Sequence, residues 1–141
     1  MTKIDILMDV DRGRQWFVHL LVKIGNKMMP VRFKVDSGCS GVVLSHETLQ
    51  DFGIKTDEMS LNVLKADIGI LASGERSDFR KLGKISLYYA GKEAVYICDT
   101  KAVCHAKFQT NDLLGTEALN QFAQVRFVLE KDNEYMELTR R

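Results

Sequence analysis

The chain has 141 residues, 45% of them hydrophobic and 28% charged, with a formal net charge of +1. That is the make-up of one soluble globular domain able to bury a real core, and a charge so close to balance gives no reason to expect a nucleic-acid partner. No apolar run is long enough to cross a bilayer, and Met1 to Asp11 is interrupted by charged side chains where a signal peptide would have an apolar core.

Three cysteines, Cys39, Cys98 and Cys104, are few and odd in number. They argue against a disulfide framework and for a reducing compartment, the cytoplasm. Residues 1–14 are polar and alternate weakly; they read as an N-terminal arm or an edge strand of a single domain spanning 1–141. Trp16 to Ile24 is a predicted strand, with Trp16, Val18, Leu20, Val22 and Ile24 on one face. Gly25-Asn26 is a turn pair, and Lys27 to Val35 runs back as the second arm of a hairpin. Pro30 cannot donate to a ladder, so this arm is expected to have an edge or a bulge there.

The hairpin delivers the chain to Val35-Asp36-Ser37-Gly38-Cys39-Ser40-Gly41. Asp and Gly are poor strand formers, yet here they stand between two apolar runs, Val31, Phe33 and Val35 before and Val42 to Leu44 after. Asp-Ser-Gly also occurs in ordinary turns. A surface turn seldom has apolar runs this dense on both sides. The stretch therefore reads as a tight loop rising from a sheet and presenting Asp36. Glycines open backbone angles closed to other residues, and Ser37 and Ser40 can bond nearby backbone groups.

Val42 to Leu44 is a short buried strand, followed by Ser45 as helix N-cap, a helix over His46 to Phe52 and Gly53 as its left-handed stop. Leu61 to Leu71 is apolar and extended, and Ala72-Ser73-Gly74-Glu75 reads as the tip of a hairpin whose return arm passes through Phe79. Ile85 to Tyr89 and Glu93 to Asp99 form another hairpin, and Thr100 to Asp112 reads as an irregular loop. Leu113-Leu114-Gly115, a short helix from Thr116 to Phe122 and a last hairpin (Val125 to Leu129, Tyr135 to Leu138) complete the chain.

Val35 to Ser45 resembles the active-site loop of aspartic proteases, hydrophobic-Asp-Thr/Ser-Gly-small-Ser followed by a short apolar strand. Leu113-Leu114-Gly115 resembles the segment that supports that loop from behind in the same family. The two motifs come in the family's order. The resemblance, which spans roughly residues 16 to 129, lies in organisation more than identity. Asp67, Asp78, Asp99 and Asp112 are not followed by Thr/Ser-Gly, so a second catalytic motif is absent. The resemblance is thus to the retropepsin-like, single-domain, retroviral type. It implies a mostly β, closed acid-protease-like barrel with one or two short helices, working as a homodimer.

The resemblance also implies roles. Two Asp36 carboxylates, one from each subunit, would activate a water between them, one as general base and the other as general acid. Ser37 would bond across the dimer, and Gly38 would bring its amide to the carboxylates. Ser73, Gly74 and Glu75 would form a flap over an extended polypeptide substrate. No cofactor, metal, nucleic acid or membrane is implied.

Cys39 departs from the small Ala or Ser usual at its place. The 26 residues after Gly115 (141 − 115) form a tail longer than that of the minimal viral enzymes, which puts its part in a dimer sheet in question. Cys98, Cys104 and His105 could offer three zinc ligands, but the spacing fits no common site and no fourth ligand is evident. His19 and His46 could join Ser40 or Ser45 in a hydrolase triad, but no nucleophile elbow is present. The rival to the enzyme is a catalytically silent dimer of the same fold that binds peptides or assembles a larger protein. A third reading is a precursor domain that acts only when two copies are brought together.

Overall fold

The fold is taken from a computed structural model that describes residues 2–11, 15–54, 68–70, 76–105 and 111–141. The chain is mostly β, 63% strand, with two short helices. Its strands are β1 (Lys3–Val10), β2 (Trp16–Ile24), β3 (Lys27–Val35), β4 (Val42–Leu44), β5 (Ile68–Ile70) and β6 (Arg76–Ala90), then β7 (Ala94–His105), β8 (Asp112–Leu114), β9 (Gln124–Glu130) and β10 (Asn133–Thr139). The helices are α1 (His46–Asp51) and α2 (Thr116–Leu119).

Six strands close into a barrel in the order β2-β3-β8-β4-β7-β6, and pairing of β6 back to β2 through Leu21↔Tyr88, Val22↔Leu87 and Lys23↔Ser86 seals it. The β2–β3 hairpin turns at Gly25, whose φ of 59° suits the leading position of a two-residue hairpin loop. Its register is unbroken from Phe17↔Lys34 to Ile24↔Lys27, so Pro30 sits at an edge and no bulge is needed. On its other side β3 meets β8 only over Phe33 to Val35.

Val18, Leu20 and Val22 are buried along one face of β2, as their alternation predicts. They join Phe33, Leu44, Ile85 and Leu87 in the barrel core. Phe17, on the opposite face, is buried too, because the Arg32 guanidinium lies 3.6 Å from its ring centroid.

Within the stretch expected to be an arm or an edge strand, Lys3–Val10 is a strand with neighbours on both sides. Lys3 to Leu7 of β1 pair with β10, and Met8 to Val10 pair with β2, so the strand passes from one sheet to the next. Ile4, Ile6 and Met8 are buried and drive this docking. The sheet β1-β10-β9 covers one side of the molecule with Met136 and Leu138 turned to the core. Glu137 is buried on its other face and is paired with Arg126 at 3.0 Å and Lys3 at 3.7 Å.

The expected loop from Thr100 to Asp112 is likewise corrected. β7 runs on to His105, pairing with β6 on one side and, in parallel, with β4 on the other through Val42↔Ala102, Val43↔Val103 and Leu44↔Cys104. Asp112 already belongs to β8. The second helix, expected to reach Phe122, stops at Leu119.

Candidate active site

Asp36 lies where β3 leaves the sheet. The parallel pairing of β3 with β8 brings Val35 opposite Leu114, and the Asp36 amide donates to the Leu114 carbonyl at 3.0 Å. The chain then turns at once. The Cys39 amide donates to the Asp36 carbonyl at 3.1 Å, and the Gly38 amide donates to Asp36 Oδ1 at 3.0 Å. The carboxylate is thereby held by its own loop. A Cβ on residue 38 would lie 3.2 Å from that same oxygen, so glycine allows the close approach of amide to carboxylate. Asp36 is half-buried, whereas Ser37, Gly38 and Ser40 are exposed.

Leu114 and Gly115 lie against the loop, and Leu113 pairs with Lys34 and Val43 beside it. Gly115 begins α2 as an N-cap without a side-chain bond. The loop itself supplies the missing acceptors. The Thr116 amide donates to the Cys39 carbonyl at 2.9 Å and the Glu117 amide to the Ser40 carbonyl at 2.7 Å. The first turn of α2, whose amides have no partner within the helix, is capped by the loop that carries Asp36. The approach is so close that a Cβ on residue 115 would lie 2.1 Å from the Gly41 carbonyl oxygen and 2.4 Å from that of Cys39.

Cys39 is half-buried, with its thiol donating to the Gly41 carbonyl at 3.4 Å. Burial pushes that thiol above the ordinary range and the nearby Asp36 carboxylate adds to the effect, while the bond to Gly41 opposes both. The thiol is therefore not activated for nucleophilic chemistry.

Asp112 is the residue that sequence reading missed. It accepts from the Ser45 amide at 2.7 Å and from Thr48 Oγ1 at 2.8 Å. It ties β8 to the start of α1, where Ser45 is the N-cap and its side chain accepts from the Thr48 amide at 3.2 Å. Burial raises the Asp112 carboxyl, against the lowering effect of these bonds. The only trace of this in the sequence is an Asp directly before Leu113-Leu114-Gly115, with no partner nearby along the chain. These bonds commit Ser45 to a cap, which removes it from any triad. His19 pairs with Asp9 at 2.7 Å on the exposed β1–β2 surface.

Ser73, Gly74 and Glu75 lie outside the described residues. The strands on either side pair antiparallel through Ile68↔Asp78, Gly69↔Ser77 and Ile70↔Arg76. Cys98, Cys104 and His105 all fall on β7, the last two where a loop was expected, and Cys98 is buried.

The sequence matches no family model and no curated protein. Among solved structures, a retropepsin-like aspartic protease from Rickettsia conorii is similar over 97% of this chain and 91% of that one, with 20% identity and a TM-score of 0.60. The retroviral protease-like domain of Ddi1 from Leishmania major matches over 84% of this chain and 91% of that one, with 14% identity and a TM-score of 0.42. The fold is retropepsin-like.

Proposed function

We propose that this chain is an aspartic endopeptidase that acts as a homodimer, hydrolysing peptide bonds with a water held between two Asp36 carboxylates. One observation carries the reading. In a fold of the aspartic-protease kind, the loop Asp36-Ser37-Gly38 is intact, clamped from behind by Gly115 and α2, and its carboxylate is fixed by the Gly38 amide at 3.0 Å. A loop serving only as a turn needs neither the clamp nor a glycine under the carboxylate.

The chemistry follows from pairing two such loops. Two carboxylates beside one another share a proton and titrate as a pair. The ionised one takes a proton from the water as its oxygen attacks the peptide carbonyl. The protonated one gives its proton to the carbonyl oxygen as the tetrahedral intermediate forms. Collapse of the intermediate expels the amine, which leaves with a proton returned by the dyad. Ser37, exposed in one chain, is available to bond across the twofold axis. Gly38 and the flap residues Ser73, Gly74 and Glu75 would line an extended polypeptide. Among the described residues no helix is long and apolar enough to cross a membrane, and Cys39 and Cys98 are free thiols, which fits work in a reducing compartment such as the cytoplasm.

A mixed peptide library, read by mass spectrometry from about pH 4 to pH 7 where single and coupled carboxyl groups titrate, tests the reading. Wild type is expected to make cuts that Asp36→Asn does not. Absence of cuts from a wild type demonstrated to be dimeric would transfer the reading to a silent peptide-binding or assembly module.

A further inference from the structure

We propose that the pocket between the start of β7, the turn after α2 and the end of β10 binds a small apolar acid, with its carboxylate on Arg140 and Arg141. The pocket has a volume of about 260 Å³. That is just under the roughly 300–1,000 Å³ of sites that take drug-sized ligands, so it suits a ligand about the size of a single amino-acid derivative.

The lining divides by burial into an apolar floor and a cationic rim. Ile97, Cys98 and Phe122 line the pocket and are buried. Gln121 and Arg141 line it and are exposed, and Arg140 is half-buried. Tyr96 adds an exposed aromatic wall, set edge-on to Tyr88 with ring centroids 5.6 Å apart. Gln121 is held in place by its side-chain amide, which donates to the Asp99 carbonyl at 2.8 Å.

Both guanidinium groups are fixed by neutral partners. Arg140 donates through Nη1 to the Ile97 carbonyl at 2.9 Å and through Nη2 to the Tyr96 carbonyl, and its charge lies 5.9 Å from the Tyr96 ring centroid. Arg141 donates through Nη2 to the Asn120 carbonyl at 2.9 Å. Carbonyls orient a guanidinium without cancelling its charge. Among the described residues neither arginine forms a salt bridge. Asp99, the carboxylate next along β7, is committed to Lys84 at 2.9 Å and Ser86 at 2.7 Å. A guanidinium has five N–H donors, and the carbonyl bonds use two on Arg140 and one on Arg141, which leaves donors on both for a carboxylate.

The floor decides what kind of anion fits. An inorganic anion would satisfy the rim and leave the Ile97, Cys98 and Phe122 surfaces facing water. An acid with an apolar body covers them while its carboxylate stays with the arginines, so both halves of the lining are used. The pocket is separate from the candidate active site. The Asp36 loop caps the first amides of α2, whereas the pocket begins at Gln121, past the other end of that helix. Binding there is therefore measured without reference to peptide hydrolysis.

N-acetyl-phenylalanine is the probe, titrated into the full chain and followed by NMR at the Gln121 side-chain amide and the arginine Nε–H groups. Saturable shifts at Gln121, Arg140 and Arg141 are expected. The neutral N-acetyl-phenylalanine amide, which lacks the charge, and inorganic phosphate, which lacks the apolar body, should each bind at least about tenfold more weakly. Octanoate distinguishes the source of the acid: binding as tight as the probe's assigns the site to fatty acids, and weaker binding assigns it to amino-acid or peptide carboxylates. Arg140→Gln and Arg141→Gln should each weaken the probe roughly tenfold, and Tyr96→Ala by less. Arg140 also braces two carbonyls of β7, so folding of each variant is checked by thermal melting, and the exposed Arg141 gives the variant least tied to the fold. Lys131→Gln, in the exposed turn between β9 and β10, should leave binding unchanged. The proposal is overturned by a probe that produces no saturable shift at these groups, by an amide or phosphate that binds as well as the acid, or by folded Arg140→Gln and Arg141→Gln variants that bind like wild type.

Discussion

At Gly115 the site leaves no space for a methyl group. The atoms it would strike, the Gly41 and Cys39 carbonyl oxygens at 2.1 and 2.4 Å, are backbone, so relief requires moving the loop itself. Gly115→Ala is expected to cost about 3 kcal/mol or more in urea denaturation, at the high end of overpacking effects. Gly91→Ala, where the nearest atom is 3.7 Å away, serves as the neutral control. Cys98 makes a different kind of test. Burial pushes its thiol up to about 11, with the Asp99 carboxylate adding and Arg140 opposing. In the unfolded chain the proton leaves near the ordinary thiol value, so between that value and about 11 the folded state holds more protons and stability falls as pH rises. Across that window wild type should lose roughly 2 kcal/mol more than Cys98→Ala, read by denaturant titration at each pH. Equal slopes would mean that the thiol is solvated in the folded protein.

At the scale of elements, what could be read from the sequence is what local chemistry decides. The alternation of β2, the Gly25 turn, the Ser45 cap and the left-handed Gly53 need only neighbours along the chain, and all were legible. The Asp36 loop was legible as a short motif between two apolar runs, whereas only a family resemblance pointed to Gly115, which meets the loop from far along the chain. β7 beyond Asp99 was not legible, because Thr100 to His105 are extended through partners far away in sequence, β6 and the parallel β4. β1 was legible only as an arm or an edge strand, since its place inside the sheet comes from docking Ile4 and Ile6 against a sheet made by the opposite end of the chain. Asp112 joins two elements whose contact the sequence does not reveal. Asp112→Ala leaves the buried Ser45 amide and Thr48 hydroxyl without their acceptor and should cost about 2 kcal/mol. Asp112→Asn keeps an acceptor for the amide and should cost under about 1 kcal/mol. Because the folded carboxyl is raised, the folded state holds more protons just above the ordinary carboxylate range, and this contribution to stability declines as pH rises through that window. Wild type should therefore lose ground to Asp112→Asn between acid and neutral pH; a difference independent of pH would show that burial does not govern this carboxyl.

At the scale of the whole molecule, barrel closure places Asp36 at the end of β3 with β8 and α2 behind it, and leaves one carboxylate where the proposed reaction needs two. The count of motifs in the sequence implied this, although the closing β2–β6 pairing, between residues far apart in the chain, had no local sign. If a second copy supplies the other Asp36, the dimer brings two acidic groups together and part of its association energy opposes their repulsion. Asp36→Asn removes that repulsion without removing volume. It should tighten the dimer roughly tenfold at neutral pH, where the wild-type pair is pressed to ionise twice. Near pH 4 the gain should shrink, because a shared proton already relieves the pair. Sedimentation at the two pH values measures both numbers on one variant. A gain confined to neutral pH places the two carboxylates within reach of one water. No gain at either pH would mean that the copies associate with their Asp36 loops apart, and that whatever the dimer does, it does not hydrolyse peptides between two aspartates.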